Sequence, residues 1–262
     1  MTRIVLGLQT HVLKRQLKCK KINIMIKFSD PVQKIHHGSK IILGDTFEKM
    51  NEIEDESVDL IICDLPYRII MNKSQIGEIW KHYKRIISYR GSILLFGRGR
   101  CFASLVNSNP EWFRYDLVWD KGLCPIFIEC KNKPFYSHEQ IAVFQKHPSK
   151  TMFNKGFQNL HNSLKIEEHP TSILKFSDQA FIKGDKSLGL LEYLVRSYSI
   201  QGGLVLDNTC GSGAVAEVCE RLDRFFICID KNPKCIETVK RRVLPLFEKR
   251  VRGFKNKVKN IT

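Results

Sequence analysis

Asp64-Leu65-Pro66-Tyr67 places an acid, a stiff turn and an aromatic ring directly behind the apolar run Val58-Asp59-Leu60-Ile61-Ile62-Cys63. That combination suits a nucleobase swung out of its stack. The carboxylate accepts a hydrogen bond from an exocyclic amine, the turn holds a backbone carbonyl beside it, and the ring stacks on the base. A tetrapeptide alone is a weak signal, since an aspartate after a strand commonly caps a helix. Its weight comes from a distant partner, Leu204-Val205-Leu206-Asp207-Asn208-Thr209-Cys210-Gly211-Ser212-Gly213.

This second segment reads as a buried strand, a glycine turn and a helix from near Ala214. Glycine lets the backbone bend sharply and approach a ligand closely. Asp230 ends the next apolar run, Phe225-Phe226-Ile227-Cys228-Ile229. It lies about 20 residues beyond the glycines, the spacing of a carboxylate that grips ribose hydroxyls. Ala216 stands where a dinucleotide fingerprint has its third glycine, and Asp207 adds negative charge that a pyrophosphate would oppose. A nucleoside carrying positive charge fits better. S-adenosylmethionine, with its sulfonium and ammonium, meets that description.

Taken in order, these motifs resemble the amino-directed DNA methyltransferases of the permuted β class, in which the Asp-Pro-Pro-Tyr motif precedes the glycine-rich one. The resembling stretch runs from about Ser39 to Val243. It includes Leu43-Gly44-Asp45, the Asp59–Tyr67 run, His138-Glu139-Gln140-Ile141-Ala142-Val143-Phe144, Lys186-Ser187-Leu188 with Leu190–Leu194, Leu206–Gly213 and Ile227–Asp230. The resemblance implies a Rossmann-like S-adenosylmethionine-dependent methyltransferase fold with permuted motif order. It implies catalytic roles for Asp64, Leu65, Pro66 and Tyr67, the Leu65 contribution being its carbonyl. It implies cofactor contacts from Asp45 (to the adenine amine), Lys186, Asp207, Thr209, Gly211, Gly213 and Asp230, and no metal. Lys186 could equally meet the nucleic-acid backbone or be a surface lysine. The implied partner is double-stranded DNA with its target base flipped, with a homodimer as an option.

The chain departs from that pattern at Leu65 (usually proline), Asn208-Thr209 (usually Pro-Phe), Ala214-Val215 (usually Thr-Thr) and around Lys186, which lacks its flanking Gln and Pro. Leucine still offers a carbonyl but loses stiffness. Thr209 in place of phenylalanine removes an apolar contact, so weak cofactor binding is one expectation.

The chemistry follows from the amine, whose lone pair is conjugated into the base. Two acceptors on its protons free that lone pair for in-line attack on a sulfonium methyl, a reaction that gains from positioning and charge placement. None of the prolines is followed by cysteine, as a C5-cytosine mechanism would require, and the zinc-deaminase pattern is absent. Adenine N6 is the first choice because the resembled N6 enzymes begin the tetrapeptide with Asp and N4 enzymes more often with Ser. Alternatives are cytosine N4, an RNA substrate and a decayed nucleic-acid-binding remnant. A small-molecule methyltransferase fits the charge poorly.

These residues need a frame, and the apolar pattern supplies one. Ser39–Leu43, Val58–Cys63, Ser92–Phe96, Asp116–Trp119, Gln140–Gln145, Gly203–Asp207 and Phe225–Asp230 read as strands. Ile76–Ser88, Ser187–Ser199, Val215–Leu222 and Pro233–Leu244 read as helices. Such alternation predicts an α/β fold, a mostly parallel twisted sheet with helices on both faces and ligands at the strands' carboxyl edge. Residues 39–145 form the catalytic half and 185–247 the cofactor half. The polar, basic interval 146–184 breaks the alternation. Its Phe153, Phe157, Phe176, Phe181, His147, His161 and His169 mark it as the candidate target-recognition segment or a long surface loop. His138-Glu139 reads as scaffold, and Gly97-Arg98-Gly99-Arg100 as a turn with solvated arginines.

A net charge of +16 across 262 residues suits a polyanionic partner and salt-dependent binding. Nine cysteines without a C-x-x-C read as reduced thiols of a cytoplasmic protein, and no run is apolar enough to span a membrane. Residues 1–38 form a basic extension: Met1–Lys27 carries seven Lys/Arg and no acid. It is a phosphate-binding arm, a transit peptide, or an over-called start with Met25 as initiator. Residues 248–262 form a basic tail through Arg252, Lys255, Lys257 and Lys259.

Overall fold

The computed structural model describes residues 32–36, 38–122, 137–154, 171–176 and 185–259. The basic arm Met1–Lys27, and Phe157, His161, His169 and Phe181 of the recognition segment, lie outside them. The elements in order are β1 (Val32–His36), β2 (Ser39–Leu43), α1 (Thr46–Lys49), β3 (Val58–Cys63), α2 (Tyr67–Met71), α3 (Lys73–Ile86), β4 (Ile87–Gly97) and α4 (Gly99–Ser108). There follow β5 (Phe113–Asp120), β6 (His138–Phe144), β7 (Ile173–Lys175), α5 (Leu188–Tyr198), β8 (Leu204–Asp207), α6 (Ala214–Arg221), β9 (Phe225–Asp230) and α7 (Pro233–Lys259).

The described strands form one sheet in the order β1-β2-β9-β8-β3-β4-β6-β5-β7. The five strands from β2 to β4 are mutually parallel, whereas β6 runs antiparallel between β4 and β5. The central strands are apolar on both faces because helices cover both. On one side, Leu60, Ile62, Val205 and Phe226 pack against Leu190, Leu194, Val218 and Val239 of α5, α6 and α7. On the other, Ile61, Ile93, Leu95 and Leu206 pack against Ile76, Ile79, Tyr83 and Ile86 of α3.

Spacing and caps explain the longer helices. The buried stripe Ile76, Ile79, Trp80, Tyr83 and Ile86 recurs at helical period. The Asn72 side chain accepts from Ser74 N at 3.0 Å and Gln75 N at 3.1 Å, which satisfies two orphan donors at the start of α3. Ser187 does the same for α5, accepting from Leu190 N at 3.0 Å.

Connections leave β8 and β3 in opposite directions. β8 proceeds through α6 to β9 on one side, and β3 through α2 and α3 to β4 on the other. The crevice between their carboxyl ends is the topological switch point at which open α/β sheets bind ligands. Asp207 ends β8 and Asp64 follows β3.

Several elements differ from expectation. β4 begins at Ile87 rather than Ser92, and α7 continues beyond Leu244 to Lys259. α1, α2, α4 and β1 were not expected, nor was β7, which adds Ile173–Lys175 to the sheet in parallel with β5.

Candidate active site

Three loops meet at the crevice: Gly44–Thr46 after β2, Asp64–Pro66 after β3, and Asn208–Gly213 after β8. Asp230 closes the set from the end of β9. Two cavities open between them. One, of about 320 Å³, is lined by Asp45, Phe47, Pro66, Ile69, Asn208 and Asp230 among others. The second, of about 160 Å³, is lined by Lys186, Asp207, Gly211 and Ser212 among others. Asp64 and Thr209 line both and so form the wall between them.

Asp64 is half exposed, and its Oδ2 accepts from Lys186 Nζ at 2.7 Å. Leu65 turns its side chain into the core, 3% exposed. Pro66 caps α2 without a side-chain bond, and Tyr67 opens that helix with its ring 59% exposed. Tyr67 lines neither cavity; its side chain and the half-exposed Asp64 carboxylate both reach solvent.

Lys186 is not a surface lysine. It is mostly buried and also donates to both oxygens of Glu139 at 3.2 Å. Burial pushes its ammonium pKa down, but the Asp64 and Glu139 carboxylates outweigh this and hold it above its ordinary value. Glu139, read from sequence as scaffold, is therefore part of the site. β6 runs antiparallel to β4, so its first residues lie at the carboxyl edge. Lys121, just beyond β5, pairs with Glu139 at 3.1 Å. From sequence alone, neither Glu139 nor Lys121 has a place in the site.

Asp45, Asp207 and Asp230 are each held by main-chain N–H groups, the first two through one oxygen and Asp230 through both. Asp45 Oδ1 caps α1 by accepting from Phe47 N at 2.9 Å. Asp207 Oδ1 accepts from Thr209 N at 3.2 Å. Asp230 uses Oδ2 to accept from Gly211 N at 3.0 Å and Oδ1 to accept from Asn232 N at 2.8 Å. A carboxylate has about four acceptor positions, so each keeps capacity for a ligand.

Asp207 is buried, and its pKa is pushed up to about 7. Burial is the main cause; the Thr209 N–H opposes it, Asp64 and Asp230 add to it, and Lys186 opposes it. A folded-state value above the ordinary 3.8 means that the stability Asp207 contributes is present below that value. It is lost as pH rises towards about 7.

Gly213 initiates α6 in the left-handed region at φ 80°. A Cβ there would lie 2.7 Å from Val239 Cγ2 on α7, so glycine is needed for conformation and for close packing. Ahead of it, Ser212 Oγ donates to Asp185 Oδ1 at 2.6 Å, and Arg242 bridges Asp185 at 2.8 Å and Glu217 at 3.3 Å. This mostly buried network ties the glycine loop to the residue before Lys186.

A second network lies beneath the loops. Tyr83 O–H donates to Asn208 Oδ1 at 2.7 Å and lies 3.2 Å from Cys63 Sγ. Asn208 Nδ2 donates to Thr46 Oγ1 at 2.8 Å. Substituting Tyr83→Phe strips the buried Asn208 oxygen of its donor, and the expected loss is about 1–3 kcal/mol of unfolding free energy. Urea denaturation of the two proteins measures it, and an unchanged midpoint would contradict the network.

Of the residues named from sequence, Asp45, Asp64, Pro66, Lys186, Asp207, Thr209, Gly211 and Asp230 line the two cavities, whereas Leu65, Tyr67 and Gly213 line neither. Among the described residues no cluster of acids, cysteines and histidines could hold a metal ion, and no helix is long and apolar enough to cross a membrane.

Residues 58–241 match the family model described as N6/N4 DNA methylase. Among curated relatives, the type II methyltransferase M.HpaI of Haemophilus parainfluenzae is 25% identical over 245 residues, covering 78% of this chain and 74% of that protein. M.HinfI of Haemophilus influenzae is 24% identical, covering 78% and 67%. Among solved structures, an M1.HpyAVI–SAM complex superposes with a TM-score of 0.61 at 22% identity, covering 77% of this chain and 97% of that one. The cytosine-N4-specific PvuII DNA methyltransferase gives 0.63 at 14%, covering 80% and 92%. With the family model spanning most of the sheet and both motif loops, the chain belongs to the N6/N4 DNA methylase family.

Proposed function

We propose that this protein transfers a methyl group from S-adenosylmethionine to the N6 amine of adenine in double-stranded DNA, acting on a flipped base. The observation that carries the proposal is the wall formed by Asp64 and Thr209. It sets an oriented carboxylate between two cavities.

The residues fit the cofactor. The larger cavity offers Phe47, Pro66 and Ile69 as apolar lining for an adenine, Asp45 for its amine and Asp230 for ribose hydroxyls. The smaller offers a buried acid, Asp207, and a cation, Lys186, which suit the ammonium and carboxylate of an amino-acid moiety. When bound, S-adenosylmethionine supplies a methyl group made electrophilic by its sulfonium.

The chain's own residues do the rest. Tyr67 holds the extruded base by stacking. Asp64, through the oxygen not given to Lys186, and the Leu65 carbonyl accept the protons of the amine, which frees the nitrogen lone pair. The nitrogen–carbon bond forms as the sulfonium–methyl bond breaks, and Asp64 offsets the positive charge that grows on that nitrogen until its surplus proton leaves to solvent. No covalent bond to the enzyme forms.

Adenine is favoured because the tetrapeptide begins with aspartate. The test is transfer of labelled methyl to unmethylated DNA, with the nucleosides then separated. Label in N6-methyladenine is expected. Label in N4-methylcytosine would keep the chemistry and change the base, and label in RNA alone would overturn the substrate.

Asp207 adds a pH signature. A cationic ligand beside it favours the ionised carboxylate, so binding releases a proton below about pH 7. Cofactor affinity should tighten about tenfold between about pH 6 and about pH 8. Calorimetry in buffers of different ionisation heat reads both affinity and proton release, and Asp207→Asn should flatten the dependence.

A further inference from the structure

We infer that Thr209, supported by Asn208, is a positioning residue that fixes the catalytic turn relative to the cofactor loop. The inference rests on the function proposed above and deepens it at the same site.

Three loops from three separate strands must hold a base and a methyl donor at a defined separation, and Asn208 and Thr209 cross-link them. Asn208 is 1% exposed. It joins the β8 loop to the β2 loop through Thr46 at 2.8 Å, and to the end of β3 through Tyr83 and Cys63. Thr209 Oγ1 donates to the main-chain oxygen of Asp64 at 3.1 Å, while the Thr209 N–H donates to Asp207 Oδ1 at 3.2 Å.

Asp64 is consequently held at both ends. Lys186 fixes its carboxylate and Thr209 fixes its carbonyl. Pinning that carbonyl sets the plane of the Asp64–Leu65 peptide, and with it where the chain enters Leu65, whose own carbonyl is the second acceptor. Thr209 belongs to the loop that faces the donor side, so its hydroxyl couples the acceptor pair to the donor directly. Misplacement of about 1 Å at such a point can cost roughly a hundredfold in rate. The Asn208 side chain commits both its oxygen and its nitrogen to these bonds, and the Thr209 hydroxyl commits its proton.

The test compares Thr209→Val, which keeps the shape and removes the donor, with Thr209→Ser, which keeps the donor. Single-turnover methyl transfer, cofactor Kd and thermal midpoint are measured for each and for the wild type. Thr209→Val is expected to slow the single-turnover rate roughly ten- to a hundredfold. Cofactor Kd should stay within about twofold, because the Thr209 hydroxyl is committed to the Asp64 carbonyl. Thr209→Ser should recover most of the rate.

A Thr209→Val enzyme as fast as wild type would overturn the inference. So would a loss that appears only as weaker cofactor binding, which would make Thr209 a ligand contact. If Thr209→Val does not fold, Thr209→Ser at wild-type rate together with a folded, slow Thr209→Ala supports the brace, and a fast Thr209→Ala overturns it. No transfer by the wild type would instead count against the proposed function, and the inference would fall with it.

Discussion

Replacing Asp64 by alanine is expected to lower methyl transfer by roughly a thousandfold while leaving the protein folded and able to bind its cofactor. The asymmetry follows from the geometry. Asp64 accepts from Lys186 at 2.7 Å, but its side chain is 53% exposed, and Lys186 keeps Glu139 when Asp64 is gone. Loss of so exposed a partner costs at most about 1 kcal/mol. Cofactor binding should hold or tighten slightly, because the Asp64 charge is one of those opposing ionisation of Asp207. In the proposed mechanism the rate, in contrast, depends on an acceptor that withdraws the amine from ring conjugation and offsets the charge formed during attack. The measurement is single-turnover transfer at saturating cofactor, with Kd taken separately. A variant within tenfold of the wild-type rate would remove Asp64 from the chemistry. Parallel losses of rate and cofactor affinity would make it a binding residue.

The acids that define this site were legible because each ends a strand or follows one within two residues. Val58–Cys63 and Phe225–Asp230 are apolar runs ended by a polar residue, and their bounds in the structure coincide with those read from the pattern. Parallel pairing then brings their carboxyl ends to one edge, so strand ends translate directly into a site. Gly211 and Gly213 were legible because a turn between a strand and a helix at close quarters has few chemical solutions.

What escaped did so for physical reasons. α4 starts at Gly99, and the alternating glycines and arginines of Gly97-Arg98-Gly99-Arg100 read as a turn, although Cys101, Phe102 and Leu105 pack on the core. β7 buries Leu174 and exposes both neighbours; three residues carry no period, and pairing with β5 makes them a strand. The brace under the loops depends on Tyr83 meeting Asn208 across 125 positions and Cys63 across 20. In sequence Tyr83 is one more apolar position on a helix, and its hydroxyl has meaning only once the strands are ordered. Asn208 and Thr209 read as losses against the family pattern, whereas in the fold they gain partners at Thr46, Tyr83 and Asp64. Glu139 looked like scaffold because an antiparallel strand reverses which of its ends reaches the carboxyl edge.

Lys186→Met is expected to slow transfer roughly a hundredfold and, unlike Asp64→Ala, to destabilise the fold. The lysine lies between two carboxylates, and its removal leaves Asp64 and the mostly buried Glu139 without the cation they share. Stranding a buried charge typically costs about 3–5 kcal/mol. Here about 2 kcal/mol is expected, because Lys121 still pairs with Glu139 at 3.1 Å and Asp64 reaches solvent. The rate falls because the Asp64 carboxylate loses the contact that sets its rotamer, so its second oxygen is no longer held towards the base. Glu139→Gln separates this from simple loss of a cofactor contact. In the wild-type background it weakens the hold on Lys186 and should lower both stability and rate. In the Lys186→Met background the same change neutralises a stranded anion, and it should cost less or stabilise. That non-additivity in a double-mutant cycle, read by denaturation and by single-turnover rate, is what a carboxylate–lysine–carboxylate chain requires. Additive effects of the two substitutions would show that Glu139 and Lys186 act independently and that the Asp64 carboxylate is oriented by something else.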